Sequence, residues 1–214
     1  MYHKLTFILL SFLAMAVCSG FAAEIVPYRL DDIIVTATKI PEKRKDIPNA
    51  VIIMDKKDIR ASGAQGIGES LANEPGVDWQ TYGNYGGASQ EIHIRGMRGN
   101  ATQVLVKGIN VGSPSLGIAD VGKIPVENIE RIEIVKGSGS LLYGSGAMAG
   151  TVNIITKNPK RDAMDLKLRA GYGSQNTYRV AAENGMFVTG DFGYYLTAGR
   201  TETDGFRDNS YLRQ

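Results

Sequence analysis

The 214-residue chain is poor in cysteine and histidine, the residue types that most often build redox and metal sites. It has one cysteine, Cys18, and two histidines, His3 and His93. Cys18 falls in a segment that we expect to be cleaved, so a disulfide, a thiol nucleophile and a histidine-built metal site are all disfavoured. We expect no enzyme, no metal site and no cofactor, and we expect mid-strand His93 to be structural.

The chain also lacks a charge excess of either sign. Lys and Arg number 24 against 22 Asp and Glu, 43% of the residues are hydrophobic, and glycine (26) far outnumbers proline (7). The charge balance argues against a polybasic nucleic-acid arm, and the apolar content argues against a disordered chain. So much glycine without a Gly-X-Y period predicts many turns between short strands.

No apolar run is long enough to cross a bilayer as a helix. Residues 1–22 have a basic start, an apolar run over residues 5–17 and a small-x-small site at residues 20–22. This is the pattern of a cleaved secretory signal, whereas a spanning helix needs about 20 apolar residues. We therefore predict export; a retained anchor and a lipoprotein attached through Cys18 are less favoured.

Residues 23–49 predict an extended leader, because three prolines interrupt it and charges cluster over residues 41–46. The β-branched run at residues 32–38 has no strand to pair with inside such a leader. We expect it to add to the sheet edge of another protein, where main-chain hydrogen bonds supply affinity. The alternative is an ordinary first strand of the following domain.

Residues 50–157 predict a compact mixed α+β domain. A strand over residues 50–54 leads into a short helix capped by Asp55 and Asp58 and ended by Gly63, and a second short helix includes Ile67 and Leu71. Further strands are predicted at residues 77–81, 91–95, 104–107, 131–135 and 151–156. The glycine-rich residues 137–146 lack the Lys-Ser/Thr of a phosphate loop, so nucleotide binding is disfavoured.

From Asp165 the pattern changes to long strands of period two. Apolar residues at 166, 168, 170 and 172 alternate with residues 167, 169 and 171, and the alternation returns over residues 178–183 and 192–199. Segments of about ten alternating residues joined by tight turns are typical of a transmembrane β-barrel, although a sandwich also alternates. Residues 158–214 supply three strands and the start of a fourth, too few to close a barrel, so we expect an N-terminal part of a larger protein.

Five stretches, in order, resemble the signatures of TonB-dependent outer-membrane receptors. Residues 33–37 resemble a TonB box, residues 71–77, 92–98 and 124–137 resemble successive plug signatures, and residues 142–157 resemble the signature that closes the plug. The resemblance covers about residues 31–214. It implies an α+β plug domain followed by the first antiparallel strands of a transmembrane β-barrel.

The resemblance implies energised uptake of a large scarce ligand, cobalamin or a ferric siderophore, across the outer membrane. The implied partners are TonB with ExbB and ExbD, the ligand, and outer-membrane lipid, with no nucleic acid. The implied TonB-binding residues are Ile33, Ile34, Val35, Thr36 and Ala37. The alternative is a plug-only periplasmic binding or signalling module from a truncated gene, or a pseudogene product.

Two glycine-rich loops, residues 80–90 and 110–118, are candidate ligand sites, although both could be plain plug loops. Their side chains offer flat apolar faces with amides and hydroxyls and no charge, which suits a large neutral or weakly charged ligand. In this they look more like cobalamin receptors than phenolate siderophore receptors. The candidate ligand residues are Tyr82, Asn84, Tyr85, Ser89, Gln90, Asn110, Ser113 and Ser115.

Two positions depart from the family pattern. Lys107 stands where an acid is usual, and Ser138 stands where a proline is usual. Several charged residues of the mixed domain are expected to face a polar lumen and to pair with wall residues such as Lys167 and Arg169, because wet polar contacts re-solvate easily. These residues are Arg95, Arg98, Glu127, Glu130 and Glu133.

Overall fold

The computed structural model describes residues 33–34, 42–43, 46–64, 66–83, 88–161, 164–205 and 212–213. The predicted signal, most of the predicted leader, and residues 35–37 of the predicted TonB box lie outside these residues. No helix among the described residues is long and apolar enough to span a membrane.

The first two strands lie in the predicted leader. Strand β1 (Ile33–Ile34) pairs antiparallel with β2 (Glu42–Lys43), so that Ile33 lies opposite Lys43 and Ile34 opposite Glu42. The expectation that this segment finds no partner within the leader was therefore wrong. An extended segment pairs its backbone groups with a nearby extended segment when the chain can reverse between them.

The predicted mixed domain, residues 50–157, contains seven described strands and three short helices. The strands are β3 (Ala50–Asp55), β4 (Val77–Tyr82), β5 (Ser89–Ile94), β6 (Thr102–Val106), β7 (Ile109–Asn110), β8 (Ile129–Lys136) and β9 (Gly150–Thr156). The helices are α1 (Lys56–Ala61), α2 (Ile67–Leu71) and α3 (Ser140–Tyr143). Five strands form one sheet in the order β3-β8-β9-β6-β7, in which β6 and β9 are parallel, and β4 and β5 form a separate hairpin.

Helix α1 begins and ends as the sequence predicts. The Asp55 backbone N–H donates to Asp58 Oδ2 at 3.0 Å, which satisfies a donor that the first turn leaves free. Gly63, two residues beyond the helix, has a φ of +67°, a conformation that residues with a Cβ rarely adopt. These local signals place α1 directly after the edge strand β3.

The core of the mixed domain lies between the five-stranded sheet, α2 and the β4–β5 hairpin. Ile67 and Leu71 of α2 are inaccessible to solvent, as are isoleucines of β5, β8 and β9. Burying a side chain of this size contributes about 1.5–3 kcal/mol. A Cβ on Gly68 would lie 2.8 Å from the Trp79 ring, so only glycine allows this approach of α2 to β4.

After residue 164 the chain forms a four-stranded antiparallel sheet, here called the meander. Its strands are β10 (Asp165–Gly173), β11 (Thr177–Phe187), β12 (Gly193–Thr203) and β13 (Leu212–Arg213), and sequence neighbours pair. The turn between β10 and β11 has positive φ at Gln175 and Asn176.

The two faces of the meander have opposite polarity. The apolar face is open, with Leu168 76% and Leu196 64% exposed, whereas Glu183 on the polar face is 1% exposed. The register pairs Lys167 with Glu183 and Glu183 with Thr197, so polar side chains of three strands share one face. The predicted period-two alternation is confirmed, with the apolar side outward.

Candidate functional site

The first predicted ligand loop is shorter than expected. Tyr82 lies opposite Ser89 and Thr81 opposite Gln90, so these residues belong to the paired strands β4 and β5. The prediction of a loop over residues 80–90 was wrong at both ends, because residues 80–82 pair with residues 89–91 as parts of β4 and β5. Predicted ligand residues Asn84 and Tyr85 lie outside the described residues.

Tyr82 lies at the end of this hairpin where β4 connects to β5. The side chain is 52% exposed, and desolvation together with the neighbouring Glu91 carboxylate raises the pKa of Tyr82 above its usual value. Glu91 is buried, and its Oε2 lies 3.4 Å from His93 Nε2. His93 therefore has a carboxylate partner within the hairpin, in keeping with the structural role expected for it.

The second predicted ligand loop is closed by its own hydrogen bonds. The Ser113 N–H donates to the Ile118 carbonyl and the Gly117 N–H to the Ser113 carbonyl, each at 2.8 Å, and the Ser113 and Ser115 hydroxyls are 3.1 Å apart. Asn110 lies on β7, and its Oδ1 accepts from the Gly112 N–H at 2.8 Å. The loop also exposes Leu116, which sequence reasoning did not select.

Asp120 connects the two regions. Its Oδ1 accepts the backbone N–H of Gln90 at 3.0 Å and that of Gly122 at 3.1 Å, and its Oδ2 lies 3.2 Å from Lys123 Nζ. The carboxylate thus fixes the end of the second loop against β5 of the first. Sequence reasoning missed Asp120, although an Asp two residues before a glycine in a proline-poor loop is a frequent capping signal.

The stabilisation that the Asp120 carboxylate gives to the contact between the two loop regions should depend on pH. Burial opposes the shift, but the N–H donors of Gln90 and Gly122 and the Lys123 charge lower the pKa of Asp120 below its usual 3.8. Its contribution is therefore fully present above pH 3.8 and is lost as the pH falls through the lower folded pKa.

We expect Asp120→Asn to lower the free energy of unfolding by about 1 kcal/mol near neutral pH, because a charged acceptor is replaced by a neutral one. The difference from wild type should vanish in acid. Urea titrations at a series of pH values measure it, with exposed Asp191→Asn as the matched control. A difference that does not change with pH would contradict this role.

The two departures from the family pattern lie at turns. Lys107 and Gly108 connect β6 to β7, and both have positive φ, as a two-residue type I′ turn requires. Asp or Asn adopts that conformation more readily than Lys. The Lys107 ammonium donates to Asn158 Oδ1 at 3.0 Å, and the Ser138 hydroxyl donates to Ser140 Oγ at 3.1 Å.

One buried ion-pair cluster joins the mixed domain to the meander. Lys157 Nζ donates to Glu183 Oε2 at 2.5 Å and also to the Glu127 carbonyl, and Lys157 is only 6% exposed. The Tyr195 hydroxyl donates to the same Glu183 oxygen at 2.5 Å, and Arg169 Nη1 lies 2.9 Å from Glu183 Oε1. Burial lowers the pKa of Lys157 even though the Glu183 carboxylate opposes the shift.

A second ion pair also joins the mixed domain to the meander, with the acid on the mixed domain and the base on the meander. Glu127 Oε1 lies 2.8 Å from Arg179 Nη2 of β11. Contact with the predicted polar face is therefore present, but the named partners were wrong. Arg169 pairs with Glu183, and Lys167 pairs with Asp165 of its own strand. Oppositely charged residues that are expected to face each other need not form ion pairs, because the relative placement of the two sheets determines which side chains lie within about 4 Å of one another.

The other predicted lumen charges stay within the mixed domain. Glu130 pairs with Lys56 at 2.6 Å, and Glu133 pairs with Arg131 at 2.7 Å. Arg95 and Arg98 form no ion pair with a described residue. Among the described residues, no group of three or more His, Cys, Asp and Glu side chains is placed to hold a metal ion.

The model of the TonB-dependent Receptor Plug Domain family matches residues 43–151, about half of the chain. The chain belongs to the TonB-dependent receptors. A vitamin B12 transporter, BtuB, of Photobacterium profundum is 35% identical over 177 residues, which is 82% of this chain and 28% of that protein. The chain thus spans about 28% of the length of this relative.

Solved TonB-dependent receptors share the fold. The pyoverdine receptor FpvA of Pseudomonas aeruginosa has a TM-score of 0.68 at 21% identity, over 80% of this chain and 24% of its own. The alcaligin receptor FauA of Bordetella pertussis has a TM-score of 0.68 at 23% identity, over 80% and 29%. The predicted family and the α+β plug fold followed by antiparallel strands are confirmed. The domain boundaries and the ligand and TonB residues stay predictions.

Proposed function

We propose that this chain forms the plug and the first wall strands of a receptor that imports a large scarce ligand across the outer membrane with energy from TonB. The observation that carries the proposal is the polarity of the meander. Its leucines face outward while Glu183 and Arg179 pair with the mixed domain on the inner side. Lipid outside and a polar lumen inside favour this arrangement.

A plug-only periplasmic module suits the meander poorly. Leu166, Leu168 and Leu196 would then stand in water, at a cost of about 25 cal/mol for each Å² of apolar surface. β10 also has only one paired edge among the described strands, and an open edge in lipid is costly. Closure of the wall requires further strands, in keeping with an exported protein of the outer membrane that is longer than this chain.

For the ligand we propose cobalamin, with a ferric siderophore as the second candidate. The support is the likeness to a vitamin B12 transporter and the uncharged character of the predicted ligand residues. Among them, Tyr82 exposes its ring on β4, Asn110 exposes its amide on β7, and Ser113 and Ser115 carry hydroxyls on the second loop. Flat apolar faces ringed by uncharged polar groups suit a large ligand without strong charge.

For the energy source we propose strand addition of the segment that contains β1 to TonB, with ExbB and ExbD as the further partners. The support is that β1 is extended and pairs with β2 over only two residues. So short a ladder is easily exchanged for a longer one on another protein, where main-chain bonds supply the affinity.

The test of the ligand assignment is Tyr82→Ala in the complete receptor. Equilibrium binding of radiolabelled cyanocobalamin and of a ferric siderophore to isolated outer membranes is measured side by side. We expect binding of the cognate ligand to weaken about tenfold, because a stacked aromatic face is lost. Tyr172→Ala, on the outward face of the meander, is the matched control. Unchanged affinity for both ligands in Tyr82→Ala would remove this residue from the site.

A further inference from the structure

A cavity of about 290 Å³ lies between α1 and the inner face of β10 and β11, close to the Lys157–Glu183 pair. We call it the basic crevice. One side comes from the mixed domain and the other from the meander. Its lining includes Lys56, Arg60, Lys157, Arg169, Gly171 and Arg179.

The basic crevice has more cations than carboxylates. Its five cationic side chains are Lys56, Arg60, Lys157, Arg169 and Arg179, and the carboxylates that pair with them are Glu127, Glu130 and Glu183. Five cations against three carboxylates give an excess of two positive charges within this group of described residues.

The surplus has two identifiable sources. Lys157 and Arg169 share the single carboxylate of Glu183, and Arg60 forms no ion pair within the described part of the chain. Lys157 is nearly inaccessible to solvent, and burial lowers its pKa. Of these three side chains, Lys157 is the one held away from water, and its charge is screened less than those of exposed Arg60 and partly exposed Arg169.

The crevice also has room for an occupant. A Cβ added at Gly63 or at Gly171 would meet no atom within 4 Å, so the space beside both glycines is open. A water molecule takes about 30 Å³ of liquid, so the cavity admits a small oxyanion together with several waters. Guanidinium groups such as those of Arg60, Arg169 and Arg179 match the geometry of phosphate and carboxylate oxygens.

We propose that the basic crevice binds a small dianionic oxyanion of the phosphate or dicarboxylate class, which bridges the mixed domain and the meander. Arg60 and Lys157 hold it from the mixed domain, and Arg169 holds it from the meander. The anion supplies the two missing negative charges and strengthens the docking of the two parts. Movement of α1 away from the meander divides the site and releases the anion. The proposal does not depend on which ligand the receptor imports.

The test is a titration of the complete receptor in detergent with inorganic phosphate and with succinate, at constant ionic strength set with chloride. Binding is followed by calorimetry and by the unfolding midpoint. We expect saturable binding of at least one dianion and a rise in the midpoint. An equal response to chloride would overturn the proposal, since it would show only screening.

Three variants locate the site. Arg60→Gln breaks no ion pair with a described residue, and we expect it to weaken dianion binding about tenfold while the midpoint without dianion stays near that of wild type. Lys57→Gln, the matched control, removes the same charge from an exposed position of α1 outside the crevice and should bind as wild type does. Gly171→Phe fills the crevice without changing charge and should abolish binding. If Arg60→Gln and Lys57→Gln bind equally, or if Gly171→Phe still binds, the proposal is wrong.

Discussion

A proline at Val35 is expected to abolish accumulation of the ligand while surface binding stays at the wild-type level. Strand addition to TonB uses backbone N–H groups, and proline deletes a donor and fixes φ. A loss of about 1.4 kcal/mol in pairing already lowers occupancy tenfold, so uptake should fall at least about tenfold. The predicted ligand residues lie on other segments, which is why binding should persist.

The matched control for this variant is Val35→Ile, which keeps the N–H and the β-branched shape. Radiolabelled uptake and equilibrium binding are measured on the same cells. Uptake by Val35→Ile should stay close to wild type. A Val35→Pro receptor that accumulates ligand at the wild-type rate would show that this segment is not the TonB-binding strand.

Replacement of Glu183 by leucine is expected to lower the free energy of unfolding by about 3 kcal/mol, because it leaves the buried Lys157 charge without a carboxylate. Arg169 and the Tyr195 hydroxyl lose the same partner, but Arg169 is partly exposed and can be solvated. Denaturant titration of the complete receptor in detergent measures the effect.

The double variant Lys157→Met, Glu183→Leu separates the buried charge from the loss of packing. A buried ion pair replaced by apolar side chains is often neutral in stability, so the double variant should recover to within about 1 kcal/mol of wild type. If the double variant is as unstable as Glu183→Leu alone, the unpaired lysine is not the cause of the instability. The pair would then stabilise the fold through the packing of its side chains.

The meander was the most predictable part of the fold because its information is local. Alternation at Leu166 to Tyr172 defines the face, and each hairpin joins strands that follow one another in the chain. Helix α1 was predictable for the same reason, since Asp55 and Asp58 cap its start and Gly63 follows its end.

Long-range pairing was not predictable in the same way. The parallel pairing of β6 with β9 places Val104 opposite Val152, and no pattern within either strand selects the other. The Lys157–Glu183 pair joins residues that are 26 positions apart in the chain. The sequence contains several acids and several bases, and nothing in it indicates which acid pairs with which base. Tyr82 and Ser89 read as loop residues because glycines surround them, yet backbone pairing extends the hairpin to include both.

The proposed function requires the mixed domain to stay docked on the meander and still be able to move, and the contacts between the two fit both requirements. Of the two ion pairs that join described residues of the two, Glu127–Arg179 includes a partly exposed arginine, whereas Lys157–Glu183 is buried on both sides. Partly exposed pairs contribute little and re-solvate readily, whereas the buried pair is costly to break. We therefore expect Lys157 to resist separation most strongly.

If the meander is a membrane wall with the mixed domain inside, two adjacent residues of β12 should have different surroundings. Single cysteines replace Leu196 and Thr197 of β12 in the complete receptor, and each carries a nitroxide spin label. Collision with oxygen, which concentrates in lipid, is compared with collision with a water-soluble nickel chelate. We expect high oxygen and low nickel accessibility at Leu196, and the loss of this preference at Thr197. Nickel accessibility at Leu196 equal to that of a water-exposed site would contradict it.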